Sequence, residues 1–248
     1  ANGDGLTDIV TSFAAGNEYR GYIALNKGGR FESLPDYIWQ FGPPSATTNT
    51  PVVGDFNGDG VVDTVLIDAA NGNWQIGICP GNLVDQCDAT RLSANNFGAG
   101  KNPVVSDINS DGMTDIGYYN YDTGKLVYRL SKGTSFADPQ ESTFAFNLRQ
   151  SNVHIQSSDF NGDGLTDFIA YNELGNVENL LSRGNAPDLL AAVNNGIGGK
   201  TSLSYDTSVH FANTYLPFVL PVITTMTAEN SLGDVYTTRY SYAKGYWD

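Results

Sequence analysis

Acidic and amide side chains recur at fixed spacing in this chain, in an arrangement that could bind a cation. The pattern Asp-x-Asn-x-Asp-Gly-x-x-Asp occurs three times, at intervals of 52 residues, as loop 2 (55–63), loop 3 (107–115) and loop 4 (159–167). A shortened copy without the leading Asp, loop 1 (2–8), lies at the start of the chain. Carboxylate, carboxamide and carbonyl oxygens are the ligands that Ca²⁺ prefers. The pattern therefore predicts repeated calcium sites.

The predicted ligands occupy alternate positions of each loop. Positions 1, 3, 5 and 9 would supply side-chain oxygens and position 7 a backbone carbonyl, while the glycine at position 6 permits the sharp turn. Position 12, which is a bidentate glutamate in an EF-hand, is Leu66, Tyr118 or Ala170 here, so position 9 is expected to complete the set. The predicted ligands in loops 2 to 4 are Asp55, Asn57, Asp59, Val61, Asp63, Asp107, Asn109, Asp111, Met113, Asp115, Asp159, Asn161, Asp163, Leu165 and Asp167, and those in the incomplete loop 1 are Asn2, Asp4, Leu6 and Asp8.

The same loops would also suit metal-free Asx-turns that connect two strands. Three full copies favour calcium, because several carboxylates packed into one loop without a cation would repel one another. The ligand set is closed and has no acid–base partner nearby in sequence, so the metal is predicted to be structural and not catalytic. We expect Ca²⁺ in three sites and in a fourth, less complete one.

Short β-prone segments surround each loop and must position it. A segment such as DTVLID or DIGYYN follows each loop, and then comes a second strand that closes on a glycine at 28, 81, 133 or 184. Another strand precedes each internal loop. Apolar residues alternate with period two, as in Trp74, Ile76 and Ile78, and no helical period appears. Three to four strands per 52 residues predict an all-β fold of β-propeller blades, with a closed ring favoured over a solenoid.

Calcium-type loops followed by paired strands at this period resemble the FG-GAP/VCBS propeller repeats. The resemblance covers about residues 1–186, which we assign to propeller blades truncated at the N-terminus. It implies a fold more than a function.

The character of the sequence changes after Gly184. No fifth loop arrives near residue 211, and Asn185-Ala186-Pro187 reads as a boundary, so a second domain is assigned to 187–248. An alternating strand is predicted at Thr201–Tyr205, followed by a hairpin of Val222–Ala228 with Val235–Tyr242, in which Tyr236, Thr238, Tyr240 and Tyr242 share a face. An isolated hairpin buries little surface, so this segment is expected to continue into a larger sheet.

This tail resembles the SpvB and TcdB/TcaC-like proteins of bacterial toxin complexes. The resembling segments are Pro187–Leu190, Asn195–Gly198, Thr201–Tyr205, Leu216–Phe218, Pro221–Val222, Tyr236–Tyr242 and Gly245–Asp248. In that family this region begins the RHS/YD-repeat shell, a β-cocoon around a toxic C-terminal domain. The resemblance implies a secreted or cell-surface bacterial protein whose partner is a toxin-complex component or its own RHS shell.

Charge and composition exclude several classes of function. The chain has 248 residues, with 13 Lys and Arg against 27 Asp and Glu, and a formal charge of −14. That balance argues against nucleic acid, which needs a basic face. No apolar run reaches the roughly 18 to 20 residues needed to span a bilayer.

The two cysteines, Cys79 and Cys87, are open to two interpretations, a local disulfide in an exported protein or two unpaired thiols.

Motifs that suggest an enzyme are weak. The Gly198–Thr201 segment lacks the first glycine of a P-loop, since residue 194 is Asn, and Thr201 opens a strand where a P-loop needs a helix. His154 and His210 lie far apart with no nucleophile motif nearby. An active site built on paired carboxylates seldom recurs identically, so the loops are not expected to be catalytic.

The function predicted from the sequence is that of a non-enzymatic, calcium-binding propeller and shell fragment that acts in toxin packaging, assembly or docking. Two alternatives remain open. A carbohydrate-binding or adhesive propeller would present exposed Trp and Tyr side chains at its blade tips, and a polysaccharide lyase or hydrolase could be built on a calcium propeller.

Overall fold

The computed structural model describes residues 6, 8–15, 18–31, 37–41, 49–68, 70–79, 88–183, 189–212, 216 and 219–245. Apart from a three-residue 3-10 helix at Ser208–His210, the regular elements of these residues are strands, which confirms the all-β prediction. Within the same residues, no helix is long and apolar enough to cross a membrane. The strands are β1 (Ile9–Ala15), β2 (Glu18–Ala24), β3 (Tyr37–Phe41), β4 (Asn49–Gly54), β5 (Asp63–Asp68), β6 (Asn73–Ile78), β7 (Asp88–Ala94), β8 (Asn102–Ser106), β9 (Asp115–Asn120), β10 (Lys125–Arg129), β11 (Gln140–Glu141), β12 (His154–Ser158), β13 (Asp167–Tyr171), β14 (Val177–Leu180), β15 (Ala192–Asn194), β16 (Lys200–Thr207), β17 (Pro221–Glu229) and β18 (Val235–Arg239).

Four small sheets have the strand order expected of propeller blades. We call β1–β2–β3 blade 1, β4–β5–β6–β7 blade 2, β8–β9–β10–β11 blade 3 and β12–β13–β14 blade 4, and in each the neighbours in the sheet are neighbours in the chain. Loops 2, 3 and 4 connect the first and second strands of blades 2, 3 and 4. The predicted blades are therefore confirmed, and closure of the blades into a ring stays a prediction.

The chain divides into two compact units. The first contains the described residues within 1–108, 112–156 and 169–179, and the second those within 109–111, 157–168 and 180–248. The predicted boundary at Asn185–Pro187 lies outside the described residues.

The core of the first unit is formed by the alternating apolar residues of blades 2 and 3. Strands β5 and β9 share one burial pattern, in which the first three residues and the fifth are buried. Val65, Ile67 and Trp74 of blade 2 pack in one cluster with Ile116 of blade 3. Because single blades cannot cover their own apolar faces, neighbouring blades bury them together.

Tight glycine turns join the second and third strands of several blades. Gly124, with φ +75°, ends the turn between β9 and β10, and its carbonyl accepts a 2.7 Å hydrogen bond from the N–H of Phe146. A Cβ atom at this glycine would overlap the carbonyl oxygen of Phe146. The equivalent turn between β13 and β14 has Gly175 at φ +81°, with open space where a Cβ would lie.

The second unit contains a four-stranded antiparallel sheet in the order β15–β16–β17–β18. The predicted strand at Thr201–Tyr205 lies within β16, and its pairing with β17 shifts register between Ser204 and Tyr205. Thr201 lies in this strand, whereas a P-loop would need a helix to begin there.

The predicted hairpin is confirmed, with one difference at its end. Strands β17 and β18 pair from Glu229 opposite Val235 to Thr225 opposite Arg239. The prediction extended the second strand to Tyr242, but β18 ends at Arg239. Beyond it, the hydroxyl of Tyr242 donates to the carbonyl of Ile223 at 2.8 Å and its ring meets Phe211 edge to face. One backbone bond, from the N–H of Tyr240 to the carbonyl of Thr224 at 2.9 Å, continues past β18, and the side-chain contacts of Tyr242 follow it.

Candidate metal loops

The aspartate at position 1 organises the backbone of each loop. In loop 2, Oδ1 of Asp55 accepts the N–H of Gly58 at 2.7 Å and Oδ2 accepts the N–H of Gly60 at 2.7 Å. Both glycines have φ near +80°. The same bonds recur in loop 4, where Asp159 accepts the N–H groups of residues 162, 163 and 164. The turn predicted at position 6 is confirmed.

Position 4 also requires a left-handed backbone, which the sequence analysis missed. Loops 2 and 4 have glycine there, and loop 3 has Ser110 with φ +57°. The signal available in the sequence was the glycine in two of three copies. The Oγ atom of Ser110 accepts a 3.1 Å hydrogen bond from the N–H of Thr166, so this residue also joins two loops.

Positions 3 and 5 bond to each other. In loop 2, Nδ2 of Asn57 donates to Oδ2 of Asp59 at 2.8 Å, and Oδ1 of Asp59 accepts the N–H of Val61 at 2.8 Å. Loop 4 repeats both bonds, at 2.9 Å. Asn109 and Asp111 form the same side-chain bond in loop 3. In loops 2 and 4 the N–H of position 5 also bonds to the carboxylate of position 1, so positions 1, 3 and 5 form one compact polar cap there.

The aspartate at position 9 turns inward and joins the loop to the far end of the second hairpin strand. Asp63 is fully buried, its Oδ2 accepts the N–H of Phe56 at 2.9 Å, and its Oδ1 accepts the N–H of Cys79 at 2.8 Å. The equivalent pairs of bonds, at 2.7 to 3.0 Å, join Asp115 to Ile108 and Ser131, and Asp167 to Phe160 and Ser182. In loop 1, Asp8 accepts the N–H of Asn26 at 2.8 Å. This structural role was not predicted, because its donor lies 15 to 18 residues away in the chain.

Three aspartates of loop 2 place negative charges close together. Burial raises the pKa of Asp63 to about 6, its two backbone donors oppose that rise, and the charges of Asp59 and Asp55 add to it. Within the described part of the chain, no Lys or Arg side chain forms an ion pair with these three residues. The loop therefore holds like charges that a cation would neutralise.

The structure brings together some predicted ligands and not others. Positions 1, 3 and 5 share hydrogen bonds, whereas position 9 faces the blade. Among the residues that the structure describes, no group of three or more His, Cys, Asp or Glu side chains is placed to hold a metal ion. At position 7, Val61 and Leu165 have buried side chains and Leu6 is exposed. Asn2 and Asp4 lie outside the described residues.

Neighbouring loops are joined through position 8. In the first unit, the hydroxyl of Thr114 accepts the N–H of Asp55 at 2.9 Å, and the N–H of Thr114 donates to the carbonyl of the same aspartate. A Cβ atom at Gly54 would collide with this threonine. Ser131 adds a 2.6 Å bond from its hydroxyl to the carbonyl of Phe56. The loops therefore stabilise contacts between blades 2 and 3.

The structure also describes one of the two cysteines and some of the aromatic side chains. Cys79 is buried and disulfide-bonded, and Cys87 lies outside the described residues. Trp74, predicted as one of the alternating apolar residues, is 1% exposed and donates from Nε1 to the carbonyl of Phe97. Tyr121 is covered on one face by the ammonium of Lys101, 3.7 Å from the ring centre. Because it is buried, Trp74 cannot serve as an exposed platform for a sugar.

Comparison with known families supports both resemblances. Residues 1–66 match the family model of the FG-GAP-like repeat, and residues 128–248 match that of the insecticide toxin TcdB middle/N-terminal region. The resemblance to TcdB-type toxin-complex proteins is confirmed. The TcdB-type region begins within β10 and includes blade 4 together with the β15–β18 sheet. No curated protein sequence matches the chain.

Solved structures of toxin complexes share the fold. A structure of the Photorhabdus luminescens Tc holotoxin pore matches 95% of this chain with 21% identity and a TM-score of 0.70. Crystal structures of TcdB2-TccC3 and of TcdB2-TccC3-Cdc42 each match 93% of it with 22% identity and a TM-score of 0.63. The chain spans about 12% of the length of each of these solved chains.

Proposed function

We propose that this chain is a non-enzymatic, calcium-binding segment of a secreted or cell-surface bacterial toxin-complex protein, and that it acts in toxin packaging, assembly or docking. The observation that most supports this is the single TcdB-type region of residues 128–248, which contains blade 4 and the β15–β18 sheet together. A continuous match across a blade and the sheet that follows it indicates one functional segment. Blade repeats joined to an unrelated module would not match in this way.

The proposed partner is a protein. The TcdB2 structures that share this fold contain TccC3, so a TccC-type protein is the first candidate, and the RHS shell of the chain's own longer polypeptide is the second. Exposed apolar side chains on the β17–β18 hairpin suit such a contact, since Leu232 is 86% and Tyr236 67% exposed.

A non-enzymatic role is consistent with the positions of the two histidines. The ring of His154 packs against Tyr171, with ring centres 5.3 Å apart, and Nδ1 of His210 lies 2.6 Å from Oδ1 of Asp206. The position-9 aspartates repeat one structural bond in every blade. Because both oxygens of each of these carboxylates accept backbone N–H groups, we assign the position-9 aspartates a structural role.

The partner assignment is tested by mixing the purified chain with a TccC-type protein and measuring the mass of the complex by chromatography with light scattering. We expect co-elution at micromolar concentrations, which L232S/Y236S weakens by about tenfold or more and which D138N, at an exposed position outside the hairpin, leaves unchanged. Separate elution of the two proteins at tens of micromolar, or turnover of an acidic polysaccharide by the chain alone, would refute the proposal.

Calcium is the cation that the loop chemistry fits best. Each full loop has three carboxylates, one carboxamide and a backbone carbonyl, an all-oxygen set that suits Ca²⁺ better than softer transition metals. The mutual repulsion that helps to raise the pKa of Asp63 would be relieved by a bound cation. Positions 1, 3, 5, 7 and 9 would hold the ion, and its role would be to cross-link the loop. Binding requires Asn57 and Asp59 to exchange their mutual hydrogen bond for the ion.

The calcium proposal is tested by calorimetric titration of the EDTA-treated chain and by thermal melting at matched ionic strength. We expect three to four ions per chain and a melting temperature raised by about 5 to 10 °C at saturating Ca²⁺. D59N should remove one ion while retaining an oxygen acceptor for the N–H of Val61. The exposed D138N is the charge-matched control. An unchanged melting temperature, or equal stoichiometry for D59N and D138N, would refute it.

A further inference from the structure

The second unit contains a cavity that the loops and the family resemblance do not explain. Its volume is about 440 Å³, within the range of small-molecule sites. Strand β16 forms one wall through Leu203–Thr207, and Asp163 of loop 4, Leu189, His210 and Pro221 complete the described lining.

The lining combines negative charge with apolar surface. Asp163 and Asp206 contribute two carboxylates, and no Lys or Arg occurs among the described lining residues. The hydrogen bond from Nδ1 of His210 lowers the pKa of Asp206, so this carboxylate is ionised at neutral pH. Leu189, Leu203 and Pro221 add apolar side chains to the lining. A ligand that matches both features has a positive charge on an apolar stem.

A buried hydroxyl without a partner provides a second, independent observation. Thr207 lines the cavity and is 8% exposed, and its Oγ1 forms no hydrogen bond within the described part of the chain. Burying a hydroxyl without a partner is unfavourable, so such an atom indicates a group that is bound there in function. Carboxylates only accept hydrogen bonds and a hydroxyl oxygen can also accept. Ammonium and guanidinium groups only donate and so complement all three residues.

The geometry disfavours a metal ion as the ligand. In the described lining, Asp163, Asp206 and His210 do not form a group placed to hold a metal ion. A cavity of about 440 Å³ also far exceeds the space that a single ion needs. The separated carboxylates instead suit an extended organic cation.

We infer that this cavity binds an organic cation, a guanidinium or ammonium group on a short apolar stem, such as the side chain of an arginine or lysine in a partner polypeptide. Asp206 and Asp163 pair with the charge, the hydroxyl of Thr207 accepts one of its N–H groups, and Leu203 and Pro221 contact the stem. This inference does not rest on the proposed assembly role, because small organic cations test the cavity whether or not a toxin-complex partner binds.

The test uses the whole chain and compounds that differ only in charge. Calorimetric titration with Nα-acetyl-arginine amide should give a dissociation constant on the order of 1 mM, and the isosteric, uncharged citrulline compound should bind at least tenfold more weakly. Nα-acetyl-lysine amide and the free diamine putrescine distinguish a side chain from a free polyamine. The titrations are made in EDTA, so that calcium at Asp163 does not compete and failure of the calcium proposal leaves this result interpretable.

Substitutions of the residues that line the cavity test whether the compounds bind there. D206N and D163N should each weaken binding of the arginine compound about fivefold, T207V about twofold to fivefold, and the exposed E229Q should leave it unchanged. Circular dichroism and thermal melting establish that each variant is folded. Equal affinity for the arginine and citrulline compounds, or unchanged affinity in both D206N and D163N, would overturn the inference.

Discussion

At the scale of single residues, the position-9 aspartate joins two distant parts of each blade by hydrogen bonds. Its two carboxylate oxygens accept N–H groups from the start of the loop and from the residue just beyond the second hairpin strand, as Asp63 does for Phe56 and Cys79. Hydrogen bonds to a charged acceptor are stronger than those between neutral groups. One buried side chain thus joins the two ends of the β5–β6 hairpin.

Replacing Asp63 by Asn should therefore destabilise the chain even in EDTA. The amide nitrogen of Asn cannot accept, so one of the two N–H donors loses its partner, at about 1 to 3 kcal/mol. D115N and D167N should behave in the same way. Urea denaturation measures the free energy of unfolding. D59N is the comparison, because the Oδ1 atom of an asparagine at this position can still accept the N–H of Val61. Equal free energies of unfolding for D63N and D59N would show that position 9 has no special structural role.

At the scale of elements, the hairpin turns differ in how closely they pack. Gly124 and Gly175 occupy equivalent turns and share a positive φ, but only Gly124 lies against another backbone segment, at Phe146. Backbone conformation and close packing can therefore be separated experimentally. The comparison stays within the first unit.

Gly175→Ala should cost about 1 kcal/mol, the usual penalty for a left-handed alanine. Gly124→Ala should cost at least about 2 kcal/mol more, because its Cβ must displace the Phe146 carbonyl and disrupt a 2.7 Å backbone bond. Denaturation midpoints of the two variants provide the measurement. Similar losses in both would mean that the Phe146 segment moves aside at little cost.

The sequence predicted those elements whose signals are local. The period-two strands next to the loops, the Thr201–Tyr205 strand and the β17–β18 hairpin were all recognisable from alternation and turn residues. The partners of Asp63, Asp115 and Asp167 were not, because the Oδ1 donor lies 15 or 16 residues away and depends on strand register. The end of β18 at Arg239 was not predicted either, because it depends on tertiary contacts such as that between Tyr242 and Phe211.

At the scale of the whole molecule, the acidity is concentrated in the loops. Eleven of the 27 acidic residues lie in them, and the six positive charges of three Ca²⁺ ions would change the formal charge from −14 to −8. The net negative charge therefore reflects the acidic loops and gives little information about a surface for a partner. The candidate partner features are the exposed hairpin residues and the acidic cavity, both in the second unit.

The bonds at position 9 also make it possible to measure the opening of single blades by hydrogen exchange. The amide protons of Cys79, Ser131 and Ser182 all bond to aspartate carboxylates, one in each of blades 2, 3 and 4. Such protons exchange with deuterium only when the bond opens, and the rate reports the free energy of that opening. Three resolved amide signals would thus show whether the blades open together or one at a time.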